Sequence, residues 1–151
     1  MYQIDTVELT RAVLTASLTV LGGIIVLVIG QLLQKFFIEP LHELSKTIGE
    51  TSFALVYYAN LYSNPGTGKL EEMDEASKNI RRLAAKLVSS AHAVRGYGLL
   101  SLIRAVPRKR DVNSAASSLI GLSNSFHHGE SSANVKRRTD IQKLLRLKLL
   151  E

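Results

Sequence analysis

The chain has 151 residues, no cysteine and a formal net charge of +6. That length fits one compact domain and whatever lies outside it. The lack of cysteine excludes a disulfide framework and any thiolate metal site, and the positive charge favours acidic partners such as phosphates, anionic lipid or nucleic acid.

The basic residues are unevenly placed. Residues 1–11 hold Arg11 with Asp5 and Glu8 and read as a short tail. Residues 12–34, AVLTASLTVLGGIIVLVIGQLLQ, carry no charge at all. At ~1.5 Å per residue this run spans a hydrocarbon core of ~30 Å, and it reads as a transmembrane helix. A cleaved signal peptide fits less well, because no basic region precedes the run, the run is too long, and no small-residue cleavage site follows it. Residues 34–151 hold 18 Lys or Arg against 11 Asp or Glu. Beside the run Arg11 stands against Lys35 and Lys46, and by the positive-inside rule the N-terminus is expected outside and the C-terminal part in the cytosol. Within the span Thr15, Thr19 and Gly23 recur every four residues. Small residues let spans approach closely, so a homo-oligomer is expected.

Residues 35–40 read as a juxtamembrane linker with a break at Pro40, since proline suits the first turn of a helix and disfavours helix before it. Residues 41–151 read as a helical domain. Its first helix has Leu41, Leu44, Ile48, Ser52, Leu55, Ala59 and Tyr62 at helical spacing on one face. Phe53 and Tyr57 fall on the opposite face, where they either meet a second subunit or pack within a bundle. SNPGTGK, residues 63–69, reads as a loop. It superficially suggests a phosphate-binding loop, but Ser63 and Leu70 stand where that pattern needs Gly and Ser or Thr, and a helix rather than a strand precedes it.

The next helix carries Met73, Ala76, Ile80, Leu83, Leu87, Ala91 and Val94 in one stripe, with Glu71, Glu72, Asp74 and Glu75 in its first turns, where the helix dipole favours acids. Gly96 and Gly98 interrupt it. LLSLIRAV reads as a further helical piece ended by Pro107. A helix follows from Asp111 as N-cap to Gly129 as terminator, burying Val112, Ala115, Leu119, Leu122 and Phe126. The basic, leucine-rich segment SSANVKRRTDIQKLLRLKLLE closes the chain, either as a last bundle helix or as a segment lying on the membrane. No segment alternates with a strand period. The expected fold is all-α: one N-terminal transmembrane helix and a small cytosolic helical bundle.

Between Glu75 and Asp111 lie nine Lys or Arg and no acid. Lys78, Arg82 and Lys86 fall opposite the apolar stripe and read as a solvated face. Arg81, His92 and Arg95 border the stripe, where a guanidinium can fork to a phosphate or carboxylate. Tyr97, between two glycines, either stacks on a base or fills the core. Arg104, Arg108, Lys109 and Arg110 continue the run and face either a phosphate or the inner leaflet. Asn124 and His127, in SNSFHHG, supply groups suited to a base edge or ribose. The expected ligand set is therefore Arg81, His92, Arg95, Tyr97, Arg104, Arg108, Lys109, Arg110, Asn124 and His127. His127 and His128, without a carboxylate or cysteine neighbour, make a poor metal site. No catalytic constellation is legible and no cofactor is implied. The expected activity is binding rather than catalysis.

The stretches QKFFIEPLHEL, ALVYYANLYSNPG, HAVRGYGLLSLIRAVP and LIGLSNS resemble a family of small bacterial inner-membrane proteins, over most of residues 34–126. The layout also resembles, in architecture alone, the membrane effector of type III CRISPR defence that senses cyclic tetra-adenylate. That second resemblance implies an oligomer in the bacterial inner membrane whose cytosolic domain binds a cyclic oligoadenylate or another phosphate-rich ligand and acts on the lipid bilayer in antiviral defence. The alternative is a membrane-anchored adaptor whose helical domain docks a protein partner.

Overall fold

The computed structural model describes residues 6–147, and every regular element among them is helical. The chain divides into two compact units between Ile38 and Glu39.

The first unit is α1, Thr6–Leu33, followed by a π-helical turn, Gln34–Ile38. No described residue of α1 is buried by the protein, and the helix is long and apolar enough to cross a membrane. Three of its hydroxyls are paired within the helix. Thr10, Ser17 and Thr19 each donate to the carbonyl four residues back, at 2.8 Å. A polar side chain that enters hydrocarbon must be internally paired in this way. Gly22, Gly23 and Gly30 have no neighbouring atoms within 4 Å, so that face is open to close approach.

Pro40 lies in the first turn of α2, Glu39–Tyr57, as expected. The segment before it is not an open linker but stays helical. Proline lacks the N–H that would bond to the Phe36 carbonyl, and its ring crowds that carbonyl. A wider π turn ahead of it accommodates both effects.

The second unit is built on α4, Leu70–Ala93, and α6, Lys109–Asn124, which pack side by side. α2 lies against the other flank of α4, and α7, Ser131–Leu145, lies against α6. The short α3, Ala59–Ser63, packs on α7. Every apolar residue expected in the stripes of α4 and α6 is buried. In α2 Leu44 and Leu55 are fully buried, joined by Thr47 and Thr51, which the apolar pattern omits. Each threonine bonds to the carbonyl four residues back, so neither leaves an unpaired hydroxyl in the core.

The N-cap of α6 is Arg108, and Asp111 lies in its first turn, near the positive end of the helix dipole. α6 stops at Asn124, well before Gly129. Gly129 is required for space instead: a Cβ there would lie 2.4 Å from the Ser125 carbonyl oxygen. Beside it Asn134 is fully buried. Its Nδ2 donates to the Tyr62 carbonyl at 2.9 Å, and its Oδ1 accepts from Ser125 Oγ at 2.6 Å and from an Arg137 guanidinium N–H at 2.8 Å. This one amide ties α3, the end of α6 and α7 together. α5, Tyr97–Leu102, and α7 are each followed closely by an arginine in the left-handed region, Arg104 (φ 62) and Arg146 (φ 57). The N–H after each closes back on a carbonyl five residues earlier, at 2.9 Å in both cases.

Candidate functional site

α4 sets the spacing of the expected ligand residues. Arg81 and His92 are eleven positions apart on it, roughly 17 Å along a helix axis, so the set divides into two groups. In the first, Arg81 donates to Asn124 Oδ1 at 2.6 Å and His127 Nε2 meets Asp74 Oδ1 at 3.0 Å. Ser77 Oγ donates to the Ser123 carbonyl at 2.9 Å between them. Arg81, Asn124 and His127 thus share the seam of α4 and α6, held by contacts within the protein.

The second group lies where α4 ends. His92, Arg95 and Arg104 are exposed, Arg108 caps α6, and Lys109 and Arg110 are exposed in its first turn. Tyr97 is different. It is buried, and its hydroxyl donates to the Pro107 carbonyl at 2.8 Å. Burial, followed by the charge of Asp111, raises its phenol pKa. Tyr97 is a core residue that pins the α5 turn, not a surface on which a base stacks. Gly96, at φ 67, makes the turn into α5.

The groove between α2 and α4 was legible only in pieces. Phe53 and Tyr57 are 67% and 68% exposed, with rings stacked at 5.5 Å. They stand beside a groove of about 450 Å³ lined by Gly49, Glu50, Ala54, Asn79, Arg82 and Leu83 as well as Phe53. A second hollow of about 260 Å³, between Glu75, Lys78, Asn79 and Arg82, adjoins it. Arg82 donates to Asn79 Oδ1 at 3.0 Å, and Asn79 Nδ2 donates to the Tyr58 hydroxyl at 3.0 Å. The sequence placed the two aromatics off the core and Arg82 off the apolar stripe. It could not place them together, because that needs the pairing of α2 with α4.

Lys86 is not part of a solvated face. It bridges the two helices, 3.0 Å from both Glu43 and Glu50. Its hydrogen bonds to Glu43 and then Glu50 raise its pKa, and its hydrogen bond in turn lowers that of Glu43. A lowered carboxylate pKa contributes stability above the ordinary carboxylate range, and that contribution is lost as pH falls through the folded value. The expected result is a contribution of this clamp to the melting temperature that is constant with pH near neutrality and falls in acid. Glu43→Gln flattens part of that acid fall, a difference that melts at stepped pH measure directly.

Compared with known proteins, the chain matches no family model, and no curated sequence or solved structure is similar to it.

Proposed function

We propose that this chain is a membrane-anchored docking protein without enzymatic activity, held by α1, whose helical unit binds another protein on the α2–α4 face. The anchor reading places it in the bacterial inner membrane with the helical unit in the cytosol. The observation that carries the docking reading is the exposed, stacked Phe53–Tyr57 pair beside the groove containing Arg82. Exposed aromatics next to an arginine are the residue types that dominate interface energetics. The partner's chemistry follows from the lining. Phe53 and Tyr57 ask for apolar side chains, and Lys78 and Arg82 for one or two carboxylates.

A cyclic oligoadenylate is the second reading, favoured by the same aromatic pair. Bases stack on such rings and Arg82 and Lys78 would meet phosphates. The charge balance favours it less, because Glu43 and Glu50 already answer Lys86, and Glu50 and Glu75 line the hollows.

The test is a photo-activatable phenylalanine analogue at Phe53 in the full chain, in cells. A discrete adduct with another protein is expected, together with none from the exposed position Asn113. Absence of any adduct overturns the reading. An adduct of twice the chain's mass replaces the adaptor with self-assembly. Protection by cyclic tetra-adenylate, with a rise in melting temperature of the purified chain, gives the site to the second messenger.

A further inference from the structure

The most exposed large hydrophobic side chain among the described residues is not in α1. It is Leu102, at 78%, with Leu99 at 67% and Ile103 at 65% beside it. These three positions share one face of α5 by helical spacing. The segment carrying them is firmly seated. Tyr97, Val106 and Pro107 are buried, Leu100 packs on the core, and the Tyr97 hydroxyl bonds to Pro107. The three outward side chains are therefore presented by a fixed turn.

Basic residues surround them. Arg104 follows directly, and Arg108, Lys109 and Arg110 open α6, all exposed. An Arg146 guanidinium N–H reaches the Arg104 carbonyl at 3.1 Å, which brings a further cation to the same place. From residue 94 to residue 129 the sequence holds a single acid, Asp111.

The position of this patch within the helical unit is set by the register of α2 on α4. Glu43 pairs with Lys86, and Tyr58 with Asn79, so the two helices run antiparallel. The start of α2 and the end of α4 share one end of the bundle. α5 follows α4 at once, so the chain enters the helical unit from residue 38 at the end that carries the leucines and the arginines.

We propose that this end of the bundle docks on an anionic lipid bilayer, with Leu99, Leu102 and Ile103 entering the headgroup boundary and Arg104, Arg108, Lys109 and Arg110 meeting lipid phosphates. An apolar face ringed by arginine and lysine is the composition of interfacial segments. Each base near an anionic surface shifts such an equilibrium about five-fold. The docking rests on the reading of α1 as the anchor, which keeps the entry end of the bundle within reach of a bilayer. It differs from the protein-binding face, which lies along α2 and α4.

The chain has no cysteine, so single labels are clean. The full chain is reconstituted in vesicles with an environment-sensitive fluorophore at Leu102→Cys and brominated acyl chains as quencher. Quenching is expected in phosphatidylglycerol-containing vesicles, weakened by salt and much reduced in pure phosphatidylcholine. A label at Lys69→Cys, at the opposite end of the bundle, stays unquenched. Replacing Arg108, Lys109 and Arg110 by glutamine shifts docking about 100-fold towards release. That variant keeps its fold, since cations at a helix N-terminus are not stabilising. Three results overturn the proposal: no quenching at Leu102, equal quenching in neutral vesicles, or a blue shift without quenching, which means burial by protein. A separate label at Val20→Cys reports the anchor. Quenching there in both lipids with none at Leu102 removes the docking and leaves the anchor. Quenching at Leu102 in anionic vesicles with none at Val20 removes the anchor and leaves the docking.

Discussion

Phe126→Ala lowers the unfolding free energy of the helical unit by about 4 kcal/mol, the middle of the range for deleting a buried aromatic ring. Phe126 is fully buried, and its ring meets Tyr58 edge-on with centroids 6.4 Å apart. Its carbonyl accepts the Gly66 N–H at 2.9 Å, so it also fixes the loop between α3 and α4. Phe126→Leu retains most of the volume and is expected to cost about 1.5 kcal/mol or less. Denaturant titration followed by circular dichroism, with the full chain in mild detergent, measures both. Near-equal losses would mean that the space collapses around alanine.

The second large effect is polar. Asn134→Ala is expected to destabilise by about 3 kcal/mol, because it leaves the buried Tyr62 carbonyl without its donor and removes an acceptor from Ser125 and Arg137. Asn134→Leu refills the volume without restoring a single hydrogen bond. Comparable losses in the two variants, by the same titration, show that the hydrogen bonds rather than the packing carry the effect. A much milder leucine variant would assign it to packing.

Asn134 also shows where the sequence stopped being readable. α4 and α6 were legible because their signal is local: an apolar residue every three or four positions needs no knowledge of the rest of the chain. The all-α class followed from the absence of any strand period. An asparagine at the core of a basic, weakly amphipathic segment gives no such signal, since only the pairing of α7 with α3 and the end of α6 makes it buried. Thr47 and Thr51 escaped notice for a related reason: back-bonding to their own helix lets them pass for apolar residues.

The candidate site was legible in a different way. Arg81 through Arg110 form one basic run in the sequence, but nearness along the chain does not give nearness in space. A helix holds Arg81 and His92 apart as rigidly as it holds neighbours together. Tyr97, between two glycines, was open to stacking on a base or filling the core, and Gly96 serves the turn while the buried ring fills the core. Phe53 and Tyr57 belong to α2 and Arg82 to α4, with α3 and a loop between, and the aromatic pair was read apart from the arginine.

The two arginines in the left-handed region set a trap for anyone who engineers this protein. Glycine occupies such helix-terminating positions with less backbone strain than a residue bearing a Cβ. A selection that scores only heat resistance therefore drives Arg104 and Arg146 towards glycine. Both sit at the basic end of the bundle, one bonded to the other's backbone. Such a selection would give a sturdier protein stripped of two charges, and its loss would surface only in an assay that contains lipid.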